Sequence, residues 1–517
     1  MQVLSSMQDE QGIEAELRRM VERFPDDLTI RGNFLRFLVA RGQTDDAETF
    51  LRTLVTQAEN AQDRDTQQTT LVQFILQTRG VEAALEELRS ALEENPGSIT
   101  LVTVKASLDF DTGRTEEAMQ DLQTILENAP ENASVEQLMN TKVVLARMLQ
   151  RDGNEVGARR QVEEILETEA GNVAALKMQA AWMIEDDATN DAITALRTAL
   201  GENSQDTEAM LLMAEAYKRS GNQALRLDFL SLAAEASNNA PNTALRYAEA
   251  LAQDGRLTQA ESVLISALRI QPRNTDVLGA LGTLYVTMDD MSRLRDVIRT
   301  LEDIDSNIAR GLATNFRVQL LQAESGLEEA IGYLEQVAEA EQGDAARLAL
   351  IRGHLLNRDT DQALALVEDL LAQDPENPTY LYTKSLALIA AEDFDAAIAE
   401  MSALLDKSPG ATEVWLQLAR LQGLSGDSVA AANTIDEALA ANPDSGNLLW
   451  AKAVALEQSG DIEEAIEIYE QLYAINSNSV IVANNLASML ATYRRDDECL
   501  ARAEVVARRL RGTQNIP

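Results

Sequence analysis

The chain has 517 residues, with 85 acidic and 44 basic side chains, so its net charge is −41. Apolar residues make up 45% and aromatic residues only 4%, which is typical of a long helical protein. A surface that binds nucleic acid needs clustered Lys and Arg, so the charge excludes nucleic acid and an anionic membrane surface as expected partners. No apolar run reaches roughly 18 residues, so no segment is predicted to span a bilayer.

Residues 1–27 open with a helical pattern. Ile13, Leu17 and Met20 lie on one face of a predicted helix, and Pro25 follows its end. The preceding MQVLSSM is long enough only for the tail of another helix. The same arrangement of apolar spacing and closing proline recurs downstream, and this recurrence decides how the opening is interpreted.

A 34-residue period runs through the chain, for example between Pro375, Pro409 and Pro443. In residues 412–445, one apolar helical face is followed by Gly426–Asp427 and then by a second apolar helix. Gly426 is predicted to end the first helix, and Asp427 is predicted to cap the second. Each period is therefore a pair of helices, named helix A and helix B.

Numbering each repeat from the start of helix A gives fourteen repeats. Position 20, in helix B, is Ala in eleven of them, because helices A and B can pack closely only against a small side chain. The exceptions are Arg226, Leu294 and Cys499, and we expect looser packing around Arg226 and Leu294. The repeats begin at residues 28, 65, 99, 139, 173, 207, 241, 275, 311, 344, 378, 412, 446 and 480.

This pattern resembles the tetratricopeptide repeat family, whose helix–turn–helix units stack into a solenoid. The resemblance implies an all-α fold, a right-handed superhelical solenoid of about 14 repeats plus a partial N-terminal repeat. Residues 1–27 are then a partial repeat, residues 28–513 the array, and residues 514–517 the start of a truncated next repeat. Neither end carries the polar cap that arrays need, so we expect an internal fragment of a longer array.

Three stretches lengthen the period, at residues 57–65, 130–137 and 303–311. The repeats that they separate begin 37, 40 and 36 residues apart instead of 34. Insertions in solenoids usually loop out of one face, so we expect loops at these places and no domain boundaries.

Candidate catalytic and metal-binding groups are few. His354 is the only histidine and falls at a packing position, so no His-rich metal cluster or Ser–His–Asp triad is predicted. Cys499, the only cysteine, falls at the small-residue position 20 and has no histidine near it in sequence. Recurrent acidic pairs such as Glu116–Glu117 lie in the first turn of helix B, where they stabilise the helix N-terminus. We therefore predict no enzyme activity, no metal and no cofactor.

Two surface patches are candidate sites for a protein partner, because the groove of this family is lined mainly by helix A. The first consists of Tyr382, Leu416 and Trp450, at position 5 of successive repeats, with Arg420 nearby at position 9. Aromatic and Arg residues anchor protein interfaces, and an aligned stripe can receive an apolar peptide or helix. The alternative is that a small shift in register buries Trp450 in the stack.

The second patch lies in the middle of the array and is less acidic than the chain as a whole. Six basic residues share the predicted inner face with four glutamates, and this face could accept an acidic segment. The alternative is ordinary ion pairing between stacked helices. The basic residues are Arg147, Arg151, Lys177, Lys218, Arg219 and Arg246, and the glutamates are Glu185, Glu208, Glu215 and Glu249.

One partner class of the family is disfavoured. Chaperone-docking members hold a C-terminal carboxylate with Lys and Asn side chains on adjacent inner faces. Lys177 occupies position 5 here, but Ala181 and Leu212 stand where further clamp residues would be. We therefore do not expect docking to chaperone tails.

Residues 484–512 resemble late repeats of large alphaproteobacterial tetratricopeptide proteins, some of them lipoproteins associated with exopolysaccharide or protein-sorting systems. That resemblance implies export and a periplasmic or outer-membrane-associated location, with a cytoplasmic location as the alternative. The resulting hypothesis is a non-enzymatic scaffold that binds protein segments in its groove, with partner identity and oligomeric state left open. Alternatives are the substrate-recognition arm of a larger enzyme, with its catalytic domain outside this fragment, and a structural spacer.

Overall fold

The computed structural model describes residues 10–131, 133–340 and 344–510. Every regular element in these residues is helical, and a short 3-10 turn at Arg508–Leu510 follows the last α-helix. In chain order the helices are α1 (Glu10–Arg23), α2 (Leu28–Ala40), α3 (Thr44–Thr56), α4 (Ala61–Arg79), α5 (Val81–Glu94), α6 (Ile99–Asp111), α7 (Thr115–Glu127), α8 (Val135–Arg151), α9 (Glu155–Thr168), α10 (Val173–Glu185), α11 (Thr189–Glu202), α12 (Thr207–Arg219), α13 (Gln223–Ala236), α14 (Pro241–Gln253), α15 (Leu257–Ile270), α16 (Thr275–Thr287), α17 (Met291–Glu302), α18 (Asn307–Ser325), α19 (Leu327–Ala340), α20 (Asp344–Leu356), α21 (Thr360–Gln373), α22 (Pro378–Ala390), α23 (Phe394–Lys407), α24 (Thr412–Leu424), α25 (Ser428–Ala441), α26 (Gly446–Ser459), α27 (Ile462–Ile475), α28 (Val480–Tyr493) and α29 (Asp497–Ala507).

Even-numbered helices take the place of helix A and odd-numbered helices that of helix B, from the pair α2–α3 to the pair α28–α29. In the described residues, fourteen such pairs follow α1. The predicted all-α repeat solenoid is therefore confirmed. Helix α1 coincides with the helix B predicted within residues 1–27. The stretch MQVLSSM and the predicted truncated repeat at 514–517 lie outside the described residues.

The helices group into two compact units, unit 1 up to Gln179 and unit 2 from Ala180 onward. In unit 1 a hydrophobic core extends from Leu17 on α1 to Leu101 on α6. In unit 2 one core extends from α12 to α18, and another surrounds Tyr469 between α26 and α29. Each core lies between helices that follow one another in sequence, as a repeat array requires.

Small side chains at position 20 are enclosed as predicted. Of the eleven alanines at this position, all but the partly exposed Ala431 are only 0–1% exposed. The looser packing expected at Leu294 is wrong, because Leu294 is 0% exposed and belongs to the core between α12 and α18. Arg226 stays partly exposed, and its guanidinium donates hydrogen bonds to Gln223 and Gln253.

The prediction of loops in the three lengthened stretches is wrong for the last four residues before each predicted repeat, because these residues are helical. Helices α4, α8 and α18 contain 19, 17 and 19 residues, whereas most helices A contain 13. They begin at Ala61, Val135 and Asn307, each four residues before the predicted start. Four residues make about one helical turn, so the apolar face keeps its direction. Asn60 and Ser134 cap the earlier starts by accepting backbone N–H hydrogen bonds.

Two glycines each join a helix A to a helix B without any further residue. Gly80 separates Arg79 from Val81 with a φ of 88°, and Gly326 separates Ser325 from Leu327 with a φ of 95°. An L side chain is strained at such angles, so glycine is required at these junctions.

Candidate functional site

The predicted stripe of Tyr382, Leu416 and Trp450 lies in unit 2, on α22, α24 and α26. All three side chains are partly exposed and Arg420 is exposed, so the stripe is neither wholly core nor wholly surface. Tyr382 packs against the apolar cluster of α22–α24, and burial raises the pKa of its hydroxyl above the ordinary value. Trp450 meets Tyr469 edge-on, with 5.8 Å between the ring centroids. Both aromatic side chains therefore pack partly against a core and remain partly exposed.

A cavity of about 230 Å³ opens beside Trp450, between α26, α27 and α28. Ile475 and Ile481 line it while remaining 51% and 47% exposed. Leu472 and Val482 contribute buried apolar walls. We name this cavity the Trp450 pocket, and its polar lining comes from Asn447, Asn476 and Ser479.

The six residues of the predicted basic patch are divided between the two units. Arg147 and Arg246 are exposed, and Lys177 is partly exposed. Arg151 is exposed but pairs with Asp111 at 2.9 Å, which agrees with the alternative of ordinary ion pairing. Unit 1 holds Arg147, Arg151 and Lys177, and unit 2 holds Lys218, Arg219 and Arg246.

Lys218 and Arg219 differ sharply, although they are adjacent in α12. Lys218 is partly exposed and lies 3.5 Å from Glu215 on its own helix. The side chain of Arg219 is only 2% exposed, and its guanidinium is bonded to Asp187. Arg219 is therefore not available to a partner in this structure. The prediction that it belongs to an exposed basic patch is wrong.

A buried ionic cluster in unit 2 joins residues that are far apart in the sequence. Asp187, in the turn between α10 and α11, accepts hydrogen bonds through Oδ1 from Arg219 Nε at 2.8 Å and Arg509 Nη2 at 2.6 Å. Its Oδ2 accepts one from the Tyr473 hydroxyl at 2.7 Å. The side chains of Asp187 and Arg509 are 6% and 5% exposed. Tyr473 and Arg509 are 286 and 322 residues from Asp187, so the sequence offered no local signal for this contact.

Further groups complete what we name the Asp187 cluster. Arg219 also donates to Asn478 Oδ1 at 3.3 Å, and Arg502 Nη1 lies 3.5 Å from Asp187 Oδ2. The guanidiniums of Arg502 and Arg509 lie 5.0 and 4.6 Å from the centre of the Tyr473 ring. Burial raises the pKa of the Tyr473 hydroxyl well above its ordinary value, and it lowers the pKa of the Arg509 guanidinium. The members are Asp187, Arg219, Tyr473, Asn478, Arg502 and Arg509.

A second charged cluster lies in unit 1. Oxygen atoms of Asp109, Glu117 and Asp121 are close enough together to hold a metal ion. The ammonium of Lys105 contacts them instead, with Nζ 2.7 Å from Asp109, 2.8 Å from Asp121 and 3.8 Å from Glu117. Asp109 also pairs with Arg114 at 2.6 Å. Burial alone would lower the pKa of Lys105, but its hydrogen bonds to two aspartates raise that pKa. The carboxylates are thus neutralised by cations of the chain itself.

His354 and Cys499 occupy structural positions. His354 is 8% exposed, in agreement with its predicted packing role, and its Nδ1 lies 3.6 Å from Asp359. Cys499 is partly exposed in the first turn of α29, and its hydrogen bond with Asp496 raises the pKa of the thiol. The thiolate, which is the nucleophilic form, is therefore disfavoured.

Three segments of the chain match models of a known repeat family. Residues 81–141, 348–412 and 416–480 match models of the tetratricopeptide repeat. The chain contains tetratricopeptide repeats. Such repeat arrays present extended concave surfaces for binding, and this class is typically a non-catalytic scaffold for protein–protein interaction.

The similarity of this chain to a solved structure is distant. The solved structure described as "Crystal structure of APC/C hetero-tetramer Cut9-Hcn1" is 14% identical, with a TM-score of 0.32, and the match covers 92% of this tetratricopeptide repeat chain and 99% of that one. Nothing about function follows from similarity at this level. No curated protein matches the sequence. Among the described residues, no helix combines the length and the apolar character needed to cross a membrane.

Proposed function

We propose that this tetratricopeptide repeat protein is a non-enzymatic scaffold that binds a segment of a partner protein, with the Trp450 pocket holding one large apolar side chain. The observation that carries this proposal is the pair of half-exposed isoleucines, Ile475 and Ile481, at a cavity walled by Trp450. A concave apolar site with an aromatic wall is the usual anchoring point of a protein interface.

Other features of the same region support an extended segment as the ligand. Asn476 and Ser479 line the pocket and offer hydrogen bonds to a partner backbone. The stripe continues on neighbouring repeats through Leu416 and Tyr382, with Arg420 exposed at position 9 of α24. The net charge of −41 attracts a partner segment that carries basic residues around its apolar anchor. A role in partner binding for Arg147, Arg151, Lys177, Lys218 and Arg246 remains a prediction.

The pocket is tested with peptides selected from a displayed random library against the full chain. We expect Ile475→Ser or Ile481→Ser to weaken the selected peptides about 10-fold or more, because one large apolar side chain contributes about 1.5–3 kcal/mol when buried. The matched control is Ile270→Ser, since Ile270 occupies the same repeat position as Ile475 and is 45% exposed without lining the pocket. Equal binding by all three variants would remove the pocket from consideration.

The stripe is tested with the same peptides and the double variant Trp450→Ala, Tyr382→Ala. We expect a larger loss of affinity than for either isoleucine variant, because both aromatic side chains lie on the predicted path of the segment. Trp450 also packs against Tyr469, so a thermal melt must show that the variant remains folded. Unchanged affinity in a folded variant would exclude the stripe.

We further propose that the protein acts in cell-envelope, exopolysaccharide or export assembly. This role is supported by the resemblance of residues 484–512, which span α28 and α29, to late repeats of exported bacterial proteins. Fractionation of cells that express the tagged protein from its own locus tests this location. Recovery with the cytosol alone would contradict it.

A further inference from the structure

The Asp187 cluster brings distant repeats of unit 2 together. Asp187 and Arg219 belong to the fifth and sixth repeats, whereas Tyr473 and Arg509 belong to the thirteenth and fourteenth. Each repeat of such an array folds by contact with its neighbours. The cluster is therefore additional to the packing that folds any single repeat, so it can open while the helices stay intact.

The chemistry of the cluster makes its closure cooperative. Arg219, Arg509 and the Tyr473 hydroxyl all bind the one carboxylate of Asp187. Burying these charges costs desolvation energy that is offset only while every partner is in place. Removal of Asp187 leaves two buried guanidiniums without their shared anion, and opening returns them to water.

The cluster and the Trp450 pocket share one short stretch of backbone. Tyr473 and Asn478 belong to the cluster, and Leu472, Asn476 and Ser479, which alternate with them in sequence, line the pocket. A displacement of Tyr473 and Asn478 therefore displaces the pocket wall.

We propose that the Asp187 cluster is a reversible latch. In the closed form it holds the fifth and sixth repeats against the thirteenth and fourteenth, and it thereby sets the shape of the Trp450 pocket. The pocket half of this proposal rests on the proposed function, and the latch half does not. A partner that binds the closed form more tightly shifts the equilibrium toward closure. The equilibrium constant for closure rises by the same factor by which closure strengthens the binding.

The latch is tested by the distance between two spin labels in the full chain. Cys499→Ala removes the natural thiol and places at position 20 the residue that most repeats have there. Asn190→Cys on α11 and Ala501→Cys on α29, both at exposed positions, then carry the labels. We expect one narrow distance in this parent and a longer, broader distribution after Asp187→Asn.

The matched control is Asp191→Asn, because Asp191 is exposed in the first turn of α11 and its replacement removes the same charge. The control should leave the distribution unchanged. An unchanged distribution in Asp187→Asn, or equal broadening in Asp191→Asn, would overturn the latch.

A milder variant separates opening from unfolding. Tyr473→Phe removes only the hydroxyl that donates to Asp187, and we expect it to lengthen the distances partially at unchanged helical circular dichroism. If both Asp187→Asn and Tyr473→Phe lose helical signal, the cluster is needed for folding, and the reversible latch is wrong.

The pocket is read out by making Trp450 the only tryptophan, with Trp182→Phe and Trp415→Phe. We expect Asp187→Asn to shift the Trp450 emission to longer wavelength and to increase its quenching by acrylamide. Opened labels with unchanged Trp450 emission would refute the coupling. Opened labels with peptides insensitive to Ile475→Ser would instead refute the proposed function and leave the latch standing.

Discussion

Asp109 in unit 1 and Asp187 in unit 2 are both buried carboxylates, with side chains 1% and 6% exposed, and both neutralise cations. Asp109 binds Lys105 and Arg114, four and five residues away, within a single pair of helices. Asp187 binds residues 32, 286 and 322 positions away. The first carboxylate therefore stabilises the fold of one repeat, and the second fixes the arrangement of repeats that already fold.

The largest effect is expected for Asp109→Asn, which removes the anion that Lys105 and Arg114 share inside one repeat. We expect it to lower the free energy of local unfolding of α6 and α7 by about 3 kcal/mol, because breaking a buried pair leaves a charge uncompensated. Hydrogen exchange of the amides in these helices measures the loss. Asp111→Asn is the control, since the Asp111 side chain is 61% exposed and its surface pair should contribute less than about 1 kcal/mol. Equal losses in both variants would contradict a special role for burial.

The next effect concerns packing between neighbouring helices A. A Cβ at Gly282 on α16 would clash with the ring of Phe316 on α18. We expect Gly282→Ala to cost about 1–3 kcal/mol, as overpacked cores do, and to leave the spin-label distances of unit 2 unchanged. Gly332→Ala, within α19 and with nothing within 4 Å of its added Cβ, should instead add up to about 1 kcal/mol. Thermal melting of the two variants should therefore shift in opposite directions.

A smaller effect is expected when Asp187→Asn is examined by the same hydrogen exchange. Because the latch opens before any repeat unfolds, protection in α12 and α28 should change by no more than about 1 kcal/mol, as for a surface substitution. A loss as large as that of Asp109→Asn would show that the two carboxylates act alike.

The last prediction concerns Glu261, whose hydrogen-bond partner Tyr285 lies in the next repeat. The Tyr285 hydroxyl donates to it at 2.9 Å, and burial together with this bond raises the pKa of Tyr285 from 10.0 to about 12. The neutral phenol is thus favoured in the folded state. Its stabilisation is complete below pH 10 and is lost as the pH rises through about 12. The phenolate absorbance of the unaltered chain should therefore show a step near pH 12 that Tyr285→Phe lacks. If the step that Tyr285→Phe removes lay near the ordinary tyrosine pKa of 10.0 instead, this assignment would be contradicted.

The repeat architecture could be predicted because its signals are local and recur. Alanine at position 20 and the prolines at the ends of helix B recur at one period, and the structure encloses nearly all of those alanines. The 34-residue period alone does not predict the lengthened helices, because capping residues outside the period determine where they begin. Asn60 and Ser134 carried the information that helix A starts a turn earlier.

The candidate site could be predicted only in part, for a geometric reason. The repeat position of Trp450 predicts a surface residue, but the pocket beside it also needs Leu472 and Val482 from the following helices. The repeat position of Arg219 predicts a groove residue, yet its side chain is buried against Asp187. That contact depends on the curvature accumulated over about eight repeats. No short stretch of sequence predicts this accumulated curvature, so the contact can be recognised only in the three-dimensional structure.

The extra turns at the starts of α4, α8 and α18 have a consequence for how such an array can change in length. A whole turn added before helix A leaves every later side chain facing the same neighbour, so chain length can vary there without a new fold. These ends project Val135 and Ile308, which are 54% and 65% exposed, beyond the body of their repeats. These two exposed positions are therefore suitable for attaching a label, whereas Ala309 in the same turn of α18 is fully buried in the core.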